Sequence, residues 1–201
     1  MRAHPTREHL DWPFFEPAHR AYAERLDRFV AGGAIDDVDH HDIDGACRKL
    51  VARLGEAGLL DIAIVDATGD SRSILSRLVC LTRETLAWHD GLADFAFAMQ
   101  GLGAGAIGLA GSPELQAVVL PMIRAGEWVA AFALSEEEAG SDVAAMSCTA
   151  RAEGSDWPTG AEIPSEKFAG AMRKKSVSAA PHEGLATLLP MPPIGSGGKG
   201  P

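Results

Sequence analysis

The chain has 201 residues, a formal net charge of −10 and a hydrophobic content of 46%. An acidic surface repels nucleic acid and anionic membranes, so the charge argues against both as partners. The hydrophobic content is that of a globular protein with a buried core and excludes a wholly disordered chain.

The cysteines indicate a reduced protein. Cys47, Cys80 and Cys148 are far apart in sequence and form no C-x-x-C pair. This spacing predicts neither a disulfide framework nor a zinc site. The first residues, Met1 to Pro5, lack the apolar segment typical of a secretory signal. We therefore expect a cytoplasmic location.

Helical spacing of apolar residues predicts three helices in the first half of the chain. The first runs from His19 to Ala31 and ends at the Gly32-Gly33 pair. The second has an apolar face and ends at Gly58. That face consists of Cys47, Leu50, Val51 and Leu54. The third begins around Ser71 and extends towards Leu86.

The acidic, histidine-bearing segment 36–44 precedes the second helix. Carboxylates and imidazoles bind metal ions, so a metal site is one interpretation. The other is a solvated connection whose last aspartates cap the helix, because helix N-termini favour such residues. We favour the capping interpretation and expect no metal.

Segment 95–111 has one polar side chain, Gln100, and approaches the roughly 18–20 residues that a membrane-spanning helix needs. It is rich in alanine and glycine and is bounded by Asp94 and by Ser112-Pro113. These features favour a buried core helix, or two shorter ones, over a membrane span.

The same segment contains the pattern G-x-G-x-x-G at residues 103–108. In a dinucleotide-binding fold this pattern follows a strand and opens a helix, where its glycines let a pyrophosphate approach the backbone. Here the preceding sequence is helical, and Glu127 does not close a second strand as that fold requires. We therefore expect these glycines to let two helices pack closely.

Ser112 and Pro113 predict the start of a further helix, which Gly126 ends. Trp128 to Leu134 then has the length and the β-branched and aromatic residues of a buried strand. The sequence therefore predicts about five helices followed by the first strand of another layer.

The composition changes abruptly near Trp157. Residues 1–157 contain twelve Arg and one Lys, whereas residues 158–201 contain one Arg and four Lys. Seven of the twelve prolines lie in residues 158–201, which show no sustained helix or strand period. We expect this tail to be irregular and disordered. A natural flexible tail and translation from a shifted reading frame are both compatible with this change.

The decisive resemblance lies around the predicted strand. Gly126-Glu127, the run Ala131-Phe132-Ala133-Leu134-Ser135-Glu136, and then Ala139-Gly140-Ser141-Asp142 are similar to the best-known motif of acyl-CoA dehydrogenases. The resemblance covers residues 1–157. It implies an N-terminal helical domain (1–125), the start of a middle β-domain (126–157) and a divergent tail (158–201). The expected fold class is mainly α, with a helical bundle and an incomplete β-domain.

The resemblance also implies a cofactor and a site. In the family, FAD lies against the segment that corresponds to Phe132–Ser141, and acyl-CoA is oxidised to enoyl-CoA. Gly140 would permit a tight turn that exposes Ser141, which would contact both flavin and the acyl-CoA thioester arm. The expected cofactor-binding residues are Phe132, Ala133, Leu134, Ser135, Gly140 and Ser141. Electron-transfer flavoprotein is the expected partner of a full-length enzyme.

The sequence departs from the family pattern in two ways. Glu137 replaces the usual proline, which puts three carboxylates in a row near a phosphate-bearing ligand. The second flavin-flanking motif and the C-terminal helical domain, with its glutamate base and subunit interface, have no counterpart in residues 158–201. We therefore assign no catalytic residue and expect this chain alone to be inactive. The alternative is a non-catalytic helical binding module derived from the family.

Overall fold

The computed structural model describes residues 7–65, 72–132, 139–145 and 186–190. These residues form five α-helices, two β-strands and short 3-10 turns. The elements are α1 (Pro17–Ala31), α2 (Ile43–Glu56), α3 (Arg72–His89), α4 (Gly91–Ala110), α5 (Pro113–Arg124), β1 (Trp128–Phe132) and β2 (Ala186–Pro190). The prediction of a mainly helical protein is confirmed.

Side chains cap α2, α4 and α5, and the caps of α2 and α5 lie where the sequence predicts them. The carboxylate of Asp42 accepts a hydrogen bond from the Gly45 amide at 3.0 Å, so the capping interpretation of the acidic segment is confirmed. Asp90 caps α4, with its Oδ1 accepting from the Leu92 amide at 2.7 Å. Ser112 caps α5 by accepting from the Leu115 amide. Each cap satisfies an amide that the helix leaves unpaired.

The core lies around α4. This helix packs against α2, α3 and α5 and also against β1. Phe97 on α4 is 1% exposed and lies in the same buried cluster as residues of all the other helices. The cluster includes Leu26, Leu50, Leu54, Leu86, Leu120 and Ile123. Burial of these side chains supplies the main stabilising free energy of the fold.

By length and hydropathy alone, α4 qualifies as a membrane-spanning helix. It is a single unbroken helix, and its sequence favours a core helix over a membrane span. Its contacts with three helices and a strand, and its fully buried Gln100, match the core-helix interpretation. A central helix of a bundle is apolar on most of its faces because other elements cover it on several sides.

The G-x-G-x-x-G pattern lies in the middle of α4 and does not precede it. A Cβ added to Gly103 would lie 2.7 Å from the Cβ of Ala130 and 2.8 Å from the Ala131 nitrogen, both in β1. Our expectation that the glycines allow close packing is therefore correct, but at Gly103 the neighbour is a strand rather than a second helix. A Cβ on Gly105 would meet none of the described residues within 4 Å.

β1 pairs with β2 in antiparallel orientation. The composition of residues 158–201 predicts no regular element, whereas the structure places a strand at 186–190. The rest of that segment, and the proposed domain boundary at residue 157, lie outside the described residues.

The close approach of α4 and β1 predicts opposite effects for two glycines of the same helix. We expect Gly103→Ala to lower the free energy of unfolding by about 1–3 kcal/mol, because the added methyl group meets backbone that cannot yield easily. Gly105→Ala adds the same methyl group where no described residue lies within 4 Å. It should raise the free energy of unfolding by about 0.5–1 kcal/mol, because alanine favours helix.

Urea unfolding of the two variants and the wild type, followed by circular dichroism, measures both effects. Equal changes in the two variants would contradict the close contact between α4 and β1.

Candidate functional site

Two described pieces belong to the candidate site: β1, which ends at Phe132, and the loop 139–145. Residues 133–138 between them lie outside the described residues, so the predicted contacts of Ala133, Leu134 and Ser135 with a flavin stay predictions. The carboxylate run at Glu136–Glu138 lies outside them as well.

The side chain of Gln100 holds β1 against α4. Its Nε2 donates to the carbonyl oxygen of Trp128 at 2.9 Å, and its Oε1 accepts from the amide of Ala130 at 2.7 Å. Gln100 is 0% exposed and Ala130 is 2% exposed, so both bonds are shielded from water. The side-chain amide thus occupies the place that a peptide group of a neighbouring strand has in a sheet.

A tight turn fixes where β1 begins. Gly126 has φ +73°, and a Cβ there would lie 2.5 Å from the carbonyl oxygen of Val51 in α2. On the other side of this contact, a Cβ on Gly55 would clash with the backbone of Ala125 and Gly126. Two glycines therefore let α2 touch the turn between α5 and β1, and both positions resist substitution.

β1 leads from the core to the surface. Ala130 is buried, Ala131 is half-buried and Phe132 is 39% exposed. A large aromatic side chain thus lies partly open at the end of a strand whose other end is anchored. The contact of Phe132 with a flavin stays a prediction.

The loop 139–145 is buried at its first residue and exposed from the second residue onwards. Ala139 is 1% exposed, whereas Gly140 and Ser141 are exposed. The carboxylate of Asp142 accepts from the Ala144 amide at 3.2 Å, which starts a short 3-10 turn at Val143–Ala145. The hydroxyl of Ser141 is therefore presented to solvent on an ordered turn.

Gly140 was expected to permit a tight turn that exposes Ser141. Its φ is not in the left-handed region, and among the described residues an added Cβ would meet nothing within 4 Å. The described backbone therefore accepts other residues here. A requirement for glycine would have to come from a bound ligand approaching the backbone.

Ionisable groups with shifted pKa values lie in the helical part. Burial raises the pKa of the Cys47 thiol, and the nearby Asp44 carboxylate raises it further. Burial also raises the pKa of Tyr22, whose hydroxyl lies 3.0 Å from that of Thr82. Cys47 is consequently protonated at neutral pH, and a protonated thiol is a poor nucleophile.

The acidic segment 36–44 makes ordinary polar contacts. Lys49 Nζ forms an ion pair with Asp37 Oδ2 at 2.6 Å, and His40 Nε2 lies 3.0 Å from Asp90 Oδ2. Among the described residues, no group of three or more His, Cys, Asp or Glu is arranged to hold a metal ion.

α4 also presents an apolar stripe to solvent. Phe95, Leu102 and Leu109 follow one another at intervals of seven residues and are 55%, 55% and 60% exposed. Residues seven apart lie on nearly the same face of a helix. Exposed apolar surface of this kind is typical of a site that a ligand or another polypeptide segment covers.

The comparisons with known proteins agree with this architecture. The family model described as "Acyl-CoA dehydrogenase, N-terminal domain" matches residues 16–127, which is more than half of the chain. The chain belongs to the acyl-CoA dehydrogenase family. The matched region contains α1 to α5 and ends one residue before β1, so it covers the helical part of the chain and not the strand on which the motif resemblance depends.

Curated members of the family are much longer than the matched region. A probable acyl-CoA dehydrogenase FadE25 from Mycobacterium leprae is 36% identical over 119 residues, which are 58% of this chain and 30% of that protein. The Mycobacterium tuberculosis FadE25 protein is 42% identical over 78 residues, 39% of this chain and 20% of that protein. Cyclohexane-1-carbonyl-CoA dehydrogenase from Geobacter metallireducens is 28% identical over 116 residues, again 58% and 30%. The chain thus spans less than a third of the length of these relatives.

Sequence reasoning did not identify the partner of Gln100. Its presence as the one polar side chain in an apolar segment was a signal, because a buried polar group has to be hydrogen-bonded. Its partners lie 28 and 30 residues further along the chain, so no local pattern names them.

Replacement of Gln100 by methionine tests the anchor of β1. Gln100→Met keeps the volume but leaves the Trp128 carbonyl and the Ala130 amide buried without partners. Each orphaned group costs about 1–3 kcal/mol, so we expect the free energy of unfolding to fall by about 2–5 kcal/mol.

Gln116→Met is the matched control. Gln116 is half-buried, and its Nε2 donates to the Gly111 carbonyl at 2.9 Å and to the Gly108 carbonyl at 3.3 Å. We expect this change to lower the free energy of unfolding by less than about 1.5 kcal/mol. Urea unfolding of both variants measures the difference, and a smaller effect at Gln100 than at Gln116 would count against the anchor.

Proposed function

We propose that this chain is the N-terminal part of an FAD-dependent acyl-CoA dehydrogenase and supplies one half of its flavin site. The observation that carries the proposal is an anchored strand, β1, that leaves a family-matched helical domain and leads into the acyl-CoA dehydrogenase motif. The proposed reaction of the complete enzyme is α,β-dehydrogenation of an acyl-CoA thioester to the enoyl-CoA.

The residues present fit one side of a flavin. A flavin ring has apolar faces and a polar edge, and that edge needs hydrogen-bonding groups at fixed positions when it is buried. Because Gln100 holds β1, the segment from Phe132 onwards starts at a fixed position beside the helical domain. The residues that would hold the flavin are Phe132, Ala133, Leu134, Ser135, Gly140 and Ser141. When bound, FAD supplies a two-electron acceptor for the substrate hydride.

Ser141 would also position the substrate. Its exposed hydroxyl is both a donor and an acceptor, which suits a thioester arm with amide and carbonyl groups.

We further propose that the isolated chain is inactive. Removal of the α-proton needs a general base within hydrogen-bonding reach, and no residue is assigned to that role here. The opposite wall of the flavin site and the electron-transfer flavoprotein contact belong, by resemblance, to the part of the family that residues 158–201 do not match. A cytoplasmic location remains part of the proposal.

A fusion protein tests the proposal directly. Residues 1–145 are joined to the polypeptide that follows the matched region in the Mycobacterium leprae relative. We expect this fusion to purify with bound flavin and to bleach when acyl-CoA is added without oxygen. The isolated 201-residue chain should purify colourless.

Two variants of the fusion separate a site effect from a folding effect. Ser141→Ala should raise the KM for acyl-CoA or lower kcat by about tenfold, since one hydrogen bond that strengthens in the transition state is worth about 1.4 kcal/mol. Val143→Ala, a change at an exposed residue of the same loop, should leave both unchanged.

A folded fusion without flavin would contradict the dehydrogenase proposal and favour the alternative, a non-catalytic helical binding module. A yellow isolated chain that bleaches with acyl-CoA would instead contradict the proposed inactivity alone.

A further inference from the structure

The bonds of Gln100 lie close to the start of the segment that resembles the flavin motif. Its Oε1 accepts from the Ala130 amide, and Phe132 follows two residues further along β1. A strand advances about 3.3 Å per residue, so Phe132 lies about 7 Å beyond the bonded amide. Because β1 continues without a break between them, a displacement of Ala130 also displaces Phe132.

Two kinds of contact restrict the movement of β1. The bonds to the Trp128 carbonyl and the Ala130 amide oppose sliding along α4 and rotation about a single bond. Gly103 allows a close approach, since a Cβ there would lie 2.7 Å from the Cβ of Ala130. Side chains two residues apart lie on the same face of a strand, so Phe132 is on the face that Ala130 turns towards α4. The helical domain therefore sets the position of Phe132 and the face on which it lies.

The side chain of Gln100 has the chemistry that this anchor needs. It offers both a donor and an acceptor without a charge, whereas an ionised carboxylate is an acceptor only. Gln100 is 0% exposed, and a charge at such a position is costly. Its two partners are backbone groups, which do not titrate at physiological pH. The anchor of β1 therefore does not change with pH.

We propose that Gln100 is a positioning residue of the flavin site. It is fully buried, and both its nitrogen and its oxygen are bonded to β1, so it acts through the strand and not by contact with FAD. Loss of its bonds displaces Phe132 and the motif that follows, and FAD then binds more weakly although the helices stay folded. This inference rests on the proposed function, which makes FAD the ligand of that motif.

Gln100→Glu makes the anchor depend on pH. A protonated carboxyl group has the size of the amide, donates its O–H to the Trp128 carbonyl and accepts from the Ala130 amide. Burial raises the pKa of a carboxyl group, so this form is present at about pH 6 and is lost towards about pH 9. The ionised form has no donor for the Trp128 carbonyl and repels its oxygen. The anchor should therefore be intact at low pH and broken at high pH.

The dissociation constant of FAD is measured in the fusion protein that contains residues 1–145, at each pH and relative to the wild-type fusion. In Gln100→Glu we expect it to match the wild type at about pH 6 and to be about tenfold higher at about pH 9, the effect of losing about 1.4 kcal/mol. Gln100→Met lacks both bonds and carries no charge, so it should bind FAD weakly at every pH. This variant separates lost bonds from repulsion between a carboxylate and the FAD phosphates.

Gln116→Glu is the matched control. Among the described contacts, Gln116 bonds to the carbonyl oxygens of Gly108 and Gly111 and not to β1. The introduced charge should leave the FAD dissociation constant, relative to the wild type, unchanged over the same pH range. Circular dichroism at each pH verifies that the helices of every variant are folded.

A second measurement needs no flavin. In the 201-residue chain, NMR follows the carbonyl carbon of Trp128 and the amide of Phe132. In Gln100→Glu both signals should match the wild type at low pH. They should shift as the pH rises, over the range in which the fusion loses FAD affinity, because the strand moves when the carboxyl group ionises.

FAD affinity of Gln100→Glu that follows the wild type at every pH would overturn the positioning role. Loss of the helical signal together with FAD would overturn it too, because the effect would then be one on folding as a whole. Phe132 signals that stay fixed while FAD affinity falls would do the same. A wild-type fusion without FAD would instead contradict the proposed function, and with it this inference.

Discussion

On one of its edges β1 lies against a helix, and the backbone groups of a helix interior are already bonded to one another. A strand in that position needs another source of hydrogen bonds, since unpaired peptide groups in a core are costly. The side-chain amide of Gln100 is that source, with one donor and one acceptor at the spacing of the strand. These two bonds hold β1 against the helical domain.

The bonds also require α4 and β1 to be close, and this explains the small residues at their contact. Gly103 has no room for a Cβ beside Ala130. Gly126 and Gly55 allow α2 to approach the turn before the strand in the same way. The helical domain therefore determines where β1 starts, which edge it presents and where Phe132 reaches the surface. These are the properties that a cofactor site at its end would use.

Features set by neighbouring residues were predictable from sequence. Asp42 and Ser112 cap helices because each side chain can reach an amide three residues away, and Gly126 ends α5 because it adopts a positive φ. Periodicity placed the core face of α2 correctly, apart from Cys47, which is half-buried.

Features set by distant residues were not predictable. Gln100 was visible as an isolated polar residue, but its partners in β1 are known only from the fold. Gly103 was expected to contact a helix and contacts a strand. β2 lies in a segment whose composition favours no regular structure. It could not be predicted there, because strand pairing depends on the partner as much as on local preference. The assignment of Ser135 remains a matter of resemblance, since it lies outside the described residues.

The hydrogen bond from the Ala130 amide to the Gln100 side chain is the most direct test of this account. NMR detects a scalar coupling through such a bond, between the Ala130 nitrogen and the carbon that carries the accepting oxygen. The structure predicts a coupling to Cδ of Gln100. A coupling to a backbone carbonyl instead, or an Ala130 amide that exchanges freely with water, would contradict it.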